Sequence, residues 1–374
     1  MRIAFDAKRA LNNTSGLGNY SRTLLNGLMQ AHPENEYHLF SSKVNETLLA
    51  ELHGAFTMHL PQTTLHKTIH PLWRSFGLKN QLHKCRPDLY HGLSNELPFN
   101  AHTFRMAKVV TIHDLLYLHH PEDFPFIDRK IYHLKTSYAC RNADVITVNS
   151  LQTKQDVIRL MAVPEKKVAL VYHAVQPRFL LSYTPEQIEA VRQQYNLPEA
   201  FILQTGSFLG RKNHLLTLKA FAVIADKTDC HLVFAGNGGA EQKQIENYIE
   251  QHQLQSRVHI IKNIVAAHMP MVYKAAKAVI YPSINEGFGL PILEAFASKV
   301  PVITTAGKCF GEVAGNAAVF IDPLSESDIA KAMTEVLESN ALRQKLIAAG
   351  NVRLTMFSSE KLAEGTMNIY NKLI

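Results

Sequence analysis

Two glutamates eight positions apart, Glu286 and Glu294, stand in the stretch NEGFGLPILEAF, with Gly287, Phe288, Gly289, Leu290 and Pro291 between them. The apolar run AVIYPS (278–283) before them reads as a strand and INEGFG as a glycine loop. PILEAFAS reads as a helix with Pro291 in its first turn, where a missing N–H costs nothing. Glu286 then sits in the loop and Glu294 about one turn inside the helix, roughly 6 Å further along its axis. Carboxylates accept paired hydrogen bonds from vicinal hydroxyls, so acids spaced in this way suit one extended ligand with two polyol parts, a sugar and a ribose. Main-chain N–H groups at Gly287, Gly289 and Leu290 lie between the acids, where a phosphate or hydroxyl would sit. A dipole-stabilised acid at a helix start, worth about 0.3–1 kcal/mol, accounts for Glu294 alone and leaves the loop glutamate and the glycines unexplained.

Three other strand ends carry chemistry-bearing residues. In FILQTGSFLGRKNHLLTLKAF, Ser207 follows a strand, and Arg211 and Lys212 close the loop before a helix. Two adjacent cations there can hold a diphosphate with charge-assisted bonds, together with backbone N–H groups. In KVVTIHDLLYL, His113 and Asp114 follow an apolar strand and are expected to face the ligand, with Asp114 either orienting the imidazole or capping the next segment. In DAKRALNNTSGLGNY, strand 2–7 runs into a loop ending Gly16-Leu17-Gly18 ahead of a helix, and its glycines allow close backbone approach to an anion or a sugar, but residue 21 is Ser, so the full G-x-G-x-x-G spacing fails.

These sites need strands that end side by side. Twelve β-rich runs alternate with amphipathic stretches, six in each half of the 374 residues. They are 2–7, 37–42, 88–92, 108–114, 144–149 and 168–173, then 201–206, 231–236, 258–263, 278–283, 300–305 and 317–322. The pattern predicts two doubly wound parallel sheets, with ligands beyond the carboxyl ends of the strands. Pro177, Pro185 and Pro198 mark a connection over 174–199. The expected domains are 1–178, with a helix from 358 to 374 packing back on it, and 179–357.

Composition bounds the rest. At 46% hydrophobic and 19% charged the chain has ample material for two cores, and no run of 18 apolar residues occurs. The start, MRIAFDAKRA, has no signal-peptide pattern, so a cytoplasmic protein is expected. Cys85, Cys140, Cys230 and Cys309 show no C-x-x-C spacing, which argues against a zinc site. A net charge of +7 favours an anionic partner. Residues 63–87 add Lys67, Trp73, Arg74, Lys79, Lys84 and Arg86, three histidines and no acid, a segment suited to an anionic membrane surface.

Taken in order along nearly the whole chain, these motifs resemble the retaining GT-B glycosyltransferases of glycosyltransferase family 4. The family's E-x7-E element stands as Glu286 to Glu294, with DLYHGLSNELP (88–98), TIHD (111–114), ADVITVNS (143–150), Arg211-Lys212-Asn213, FAGNGG (234–239), EVAG (312–315) and Asp322-Pro323 in support. The resemblance implies two Rossmann-like domains facing a cleft and transfer of a hexose from a nucleotide sugar to a glycan or lipid-linked acceptor. It implies that Glu286 contacts the transferred sugar, that Glu294 holds the ribose, and that Arg211 and Lys212 neutralise the diphosphate. Phe288, Gly289 and Leu290 would line the donor site, with Gly287, Gly16, Gly18 and Ser207. His113 would lie near the reacting carbon, and Asn95 and Asp114 on the acceptor side. The chain departs from the family pattern at Ser207, where an arginine is common, at Lys299, where glycine is common, and at Lys308-Cys309-Phe310.

No D-x-D triplet occurs, so no metal is expected for catalysis and no cofactor beyond the donor. The competing readings are a nucleotide-sugar epimerase of the same shape and a noncatalytic nucleotide-sugar binder. A Rossmann dehydrogenase lacks its glycine fingerprint here, and no nucleic-acid module is present.

Overall fold

The computed structural model describes residues 1–62 and 73–374, so His66, Lys67 and His70 of the basic stretch lie outside the described residues. The chain divides into two compact units, Met1–Gln176 with Phe357–Ile374, and Pro177–Met356.

The first unit holds a parallel sheet of seven described strands in the order β3-β2-β1-β4-β5-β6-β7. They are β1 (Arg2–Asp6), β2 (Glu36–Phe40), β3 (Thr57–His59), β4 (Leu89–Gly92), β5 (Ala107–Ile112), β6 (Val145–Val148) and β7 (Val168–Leu170). Side chains alternate between two apolar layers, as a sheet covered on both faces requires. Ile3, Phe5, Tyr37 and Leu39 join one layer. Ala4, Phe40, Tyr90 and Val110 join the other. The second unit's sheet runs β10-β9-β8-β11-β12-β13. Its strands are β8 (Phe201–Thr205), β9 (His231–Ala235), β10 (Val258–Ile261), β11 (Ala278–Tyr281), β12 (Val302–Thr305) and β13 (Ala318–Ile321).

All twelve expected runs contain strands, and β3 is the addition. It is three residues long, Thr-Met-His, too short and too polar to show period-two alternation. In both sheets the strand order reverses beside the first strand, between β1 and β4 and between β8 and β11. An open parallel sheet leaves a crevice at such a point.

The helix Ser359–Asn371 buries Leu362, Met367 and Tyr370 with Leu24, Leu25 and Leu28 of the helix Gly16–Ala31. A Cβ built at Gly27 lies 3.0 Å from the Ser359 carbonyl oxygen and 3.3 Å from Ala363 Cβ, so the two helices meet where one side chain is absent. Gly27→Val should overpack this contact and lower stability by about 1–3 kcal/mol despite gaining helix propensity. Urea denaturation checks it; an unchanged midpoint would show that the contact is slack.

Candidate active site

Glu286 is the centre of the second unit's site. It lies on the loop after β11, and its Oε1 is 2.5 Å from Arg211 Nη1 and 3.2 Å from Lys212 Nζ, both from the loop after β8. All three side chains are at most 16% exposed. The switch point between β8 and β11 makes these loops neighbours, and backbone bonds lock them: Ile284 N donates to Arg211 O at 2.7 Å. Asn213, in the left-handed region at φ 63°, donates Nδ2 to the carbonyls of Pro282 and Pro323 at 3.3 and 2.5 Å. Asn tolerates that conformation better than most residues.

Lys212 reaches Glu286 across Gly206, at φ 122°, where a Cβ would lie 3.1 Å from both Lys212 Cδ and Nζ. The FAGNGG glycines serve the same end. A Cβ on Gly236 would fall 2.0 Å from Gly206 O, and one on Gly239 2.1 Å from Phe208 O. Their loop can press onto the β8 loop only without side chains. Ser207 stands between these contacts, with its carbonyl bonded to Leu209 N at 2.9 Å.

Glu294 lies in the helix Leu290–Ala297, whose cap Gly289 has φ 116° and whose Pro291 is in the first turn. Its Oε2 accepts from Tyr273 Oη at 2.8 Å, and Tyr273 Oη in turn meets Thr205 Oγ1 at 2.9 Å. The two acids have opposite electrostatics. Burial raises the Glu286 pKa, but Lys212 and Arg211 more than offset it, and its carboxyl lies below the usual value. Burial also dominates at Glu294, where the Tyr273 bond and the fields of Lys212 and Arg178 offset it only in part, leaving that carboxyl raised. Unlike environments for paired acids indicate unlike tasks. Phe288 is buried. Lys308-Cys309-Phe310 opens the helix Lys308–Ala314 and supports the acid loop: Lys308 Nζ donates to Ile284 O at 2.9 Å and Cys309 Sγ to Glu286 O at 3.3 Å. Lys299, at φ 59°, holds a left-handed position that suits glycine.

In the first unit the structure corrects several expectations. Gly16 and Gly18 lie in the first turn of the helix Gly16–Ala31 and form no separate loop. A Cβ on Gly18 would fall 1.8 Å from Asn13 O, and Gly18 N donates to Asn13 Oδ1 at 3.2 Å, so packing alone accounts for that glycine. His113 does not face outward. It is 3% exposed, with Nε2 on Leu93 O at 2.8 Å and Nδ1 on His173 Nε2 at 3.2 Å. A carbonyl only accepts, so Nε2 carries the proton and Nδ1 accepts from His173. Burial holds this imidazole neutral, with a pKa lowered to about 4. Asp114 does not orient the ring, since both ring nitrogens have other partners; its Oδ1 accepts from Leu116 N at 3.1 Å. Asn95 ties the segment, accepting from His113 N at 3.0 Å and donating to Asp114 O at 3.2 Å.

Trp73 and Arg74 are 2% and 8% exposed, which removes them from any membrane-facing surface. Arg74 is instead central to a network at the first unit's switch point. Its Nη2 lies 2.5 Å from Asp6 Oδ2 at the end of β1, and its Nη1 2.6 Å from Glu96 Oε2 after β4. Lys135 Nζ adds a bond to Glu96 at 2.9 Å. Sequence reading missed Asp6, Arg74, Glu96 and Lys135 because the four are 129 positions apart at the extremes and only the sheet order joins them. It missed Tyr273 for the same reason. The acid in NELP was the available signal for Glu96. Neither Glu286 nor Glu294 belongs to a group of three metal-ligating side chains; among the described residues that grouping is His38, His59 and Cys85.

Two family models match the chain: Glycosyltransferase Family 4 over residues 14–179, and Glycosyl transferases group 1 over residues 187–353. The O-antigen chain mannosyltransferase B of Escherichia coli is 27% identical over 100% of both chains. The O-antigen chain mannosyltransferase RfbU of Salmonella typhimurium is 23% identical over 63% of each. Among solved structures, Anabaena HepE in complex with UDP and glucose superposes with a TM-score of 0.77 at 18% identity, covering 100% of both chains. A glycosyltransferase from Rickettsia africae gives 0.77 at 17%, covering 100% of this chain and 98% of its own. The chain belongs to the family 4-like GT-B glycosyltransferases. In this glycosyltransferase the Arg-Lys pair contacts the first acid of the E-x7-E element directly, and the field of Lys212 reaches the second.

Removing Arg74 would take the paired cation from buried Asp6 and leave Glu96 to Lys135 alone, a loss of about 3–5 kcal/mol. Burial raises the Glu96 carboxyl, but Arg74 and Lys135 more than offset it and hold it at about 2, below its ordinary 4.5. Stability from a depressed carboxyl is present above the unfolded pKa and lost as pH falls through the folded one. Arg74→Met should therefore lower the denaturation midpoint strongly at neutral pH, and the gap from the parent should narrow as pH drops from about 4.5 toward 2. A constant gap across that window would mean the network is not the source.

Proposed function

We propose that this glycosyltransferase moves a hexose, with mannose the best-supported sugar, from a nucleoside diphosphate donor to a glycan or lipid-linked acceptor with retention of configuration. The observation that carries the reading is the Glu286 carboxylate shared by Arg211 and Lys212. The mannosyl assignment and a place in envelope polysaccharide synthesis draw support from the full-length likeness to O-antigen chain mannosyltransferase B.

In this reading the second unit binds the donor. The diphosphate takes up the charge of Arg211 and Lys212 along with N–H groups at the helix start after Gly289. Glu286 accepts hydroxyls of the sugar, and Glu294 those of the ribose. The bond from the anomeric carbon to the phosphate oxygen breaks while the acceptor oxygen bonds to that carbon from the same face. The acceptor proton passes to the departing phosphate, and the cations stabilise the charge that develops there. Fixed cations in a partly dry site need no reorganisation during the reaction. Ser207 and Phe288 line the donor site, and no metal is needed for this charge stabilisation.

The first unit binds the acceptor, with Asn95 and the Asp114 main chain near its hydroxyls. His113 acts through neighbouring groups, because both its nitrogens are bonded. A cytoplasmic protein touching the membrane peripherally fits a lipid-linked acceptor. Among the described residues no helix is long and apolar enough to cross a membrane. The surface suited to contact is the helix Phe126–Asn142, where Phe126 and Ile127 are 63% and 70% exposed beside Arg129 and Lys130.

Turnover with a panel of nucleotide sugars, with and without saccharide acceptors, tests the proposal. Glu286→Gln and Lys212→Ala should each lower kcat by about 10²–10³. Glu294→Ala should act chiefly on the donor KM. If Glu286→Gln with Glu294→Gln retains full turnover, or if sugar nucleotide is converted equally without acceptor, the assignment fails.

A further inference from the structure

We propose that His38, His59 and Cys85 form a zinc-binding site on the first unit, separate from the Asp6–Arg74 network and from the proposed donor site. One ligand atom from each lies within 4.8 Å of the other two. His38 stands on β2 and His59 on the neighbouring β3, whose register pairs Phe40 with His59. Alternation puts His38 on the same face as Phe40. The helix Lys79–Cys85 covers that face through Leu82, and Cys85 is its last residue. Three separate elements therefore deliver three metal-ligating groups to one place. Chain spacing gives no hint of it.

The local chemistry matches a His2Cys zinc set completed by water. His38 Nδ1 and His59 Nε2 are 2.9 Å apart, a few tenths of an ångström short of the roughly 3.3 Å that tetrahedral bonds of about 2.0–2.1 Å to one ion impose on two imidazole nitrogens. With Nδ1 on the metal, His38 Nε2 would carry the proton; it lies 3.8 Å from Glu36 Oε2, beyond direct hydrogen-bond distance, and Arg2 holds Glu36 at 2.8 Å. The His59 ring stacks on Phe40, with centroids 4.4 Å apart and planes 9° from parallel.

On binding, the Cys85 thiol gives its proton to solvent and the thiolate bonds the ion. The imidazole whose N–H pointed at its neighbour takes the other tautomer, and no electron is transferred. The ion ties the three-residue edge strand β3 to β2 and to the covering helix. The second unit supplies an internal control: His231 Nδ1 and His259 Nε2 are 3.0 Å apart on β9 and β10, but no third ligating group joins them among the described residues.

Titration of the metal-free, full-length protein with Co²⁺, followed by zinc displacement, tests the site. One equivalent of cobalt should bind with a thiolate-to-metal charge-transfer band, and zinc should abolish the band and raise Tm. Cys85→Ser should remove the band and weaken zinc binding at least tenfold, and His59→Gln should weaken it similarly. His259→Gln should leave both unchanged. Far-ultraviolet circular dichroism confirms that each variant is folded, and the band in the parent protein reports the thiolate without any substitution. Absence of the band in the parent at excess cobalt, or a band of equal strength in folded Cys85→Ser, would overturn the assignment.

Discussion

A carboxylate held between two cations in a partly buried pocket is the constraint that the second unit is built around. Glu286 supplies one negative charge to Arg211 and Lys212. Removing Glu286 would bring two largely buried cations together without the carboxylate between them. The arrangement can exist only if the loops after β8 and β11 meet, which the strand order β9-β8-β11 provides. It also requires Lys212 to lie over a residue with no side chain, which Gly206 provides, and a third loop to close on the second, which Gly236 and Gly239 allow. Sheet order, glycine placement and the left-handed turn at Asn213 are thus consequences of one electrostatic requirement.

The first unit builds its own ion-pair network at its switch point. Arg74 and Lys135 meet Asp6 and Glu96. In the second unit Arg211 and Lys212 meet Glu286. Both sheets thus bury charge where their strand order reverses, and in each the partners come from segments distant in the chain.

Much of this was legible in the sequence because it is local. β8 begins Phe-Ile-Leu and β11 is apolar throughout, as buried parallel strands require, and the Arg-Lys and E-x7-E residues stand in the loops that follow them. The E-x7-E spacing stated the geometry of a loop acid and a helix acid, and Leu290–Ala297 realises it. What remained hidden depends on contacts between distant segments. Nothing near His113 in the chain announces His173, sixty positions away, or the inward turn of the ring. The Asp6–Arg74 pair spans 68 positions. Trp73 and Arg74 read as surface residues because their neighbours in the chain are basic, whereas Arg74 is drawn inward by two acids from other strands. Cys85 looked solitary because its companions sit on β2 and β3.

The opposite pKa directions of the two glutamates explain why Tyr273 and Thr205 belong to the site. An ionised carboxylate only accepts hydrogen bonds, whereas a protonated one also donates. Two vicinal hydroxyls presented as donors therefore need the ionised form. Glu286 is kept ionised by Arg211 and Lys212. At Glu294 burial pushes the other way, and the fields of Lys212 and Arg178 offset it only in part. The Tyr273 hydroxyl, itself accepting from Thr205, donates to Glu294 and favours the charged form without adding a charge. The bond thereby supports the form of Glu294 that hydroxyl donors of the proposed ribose would need.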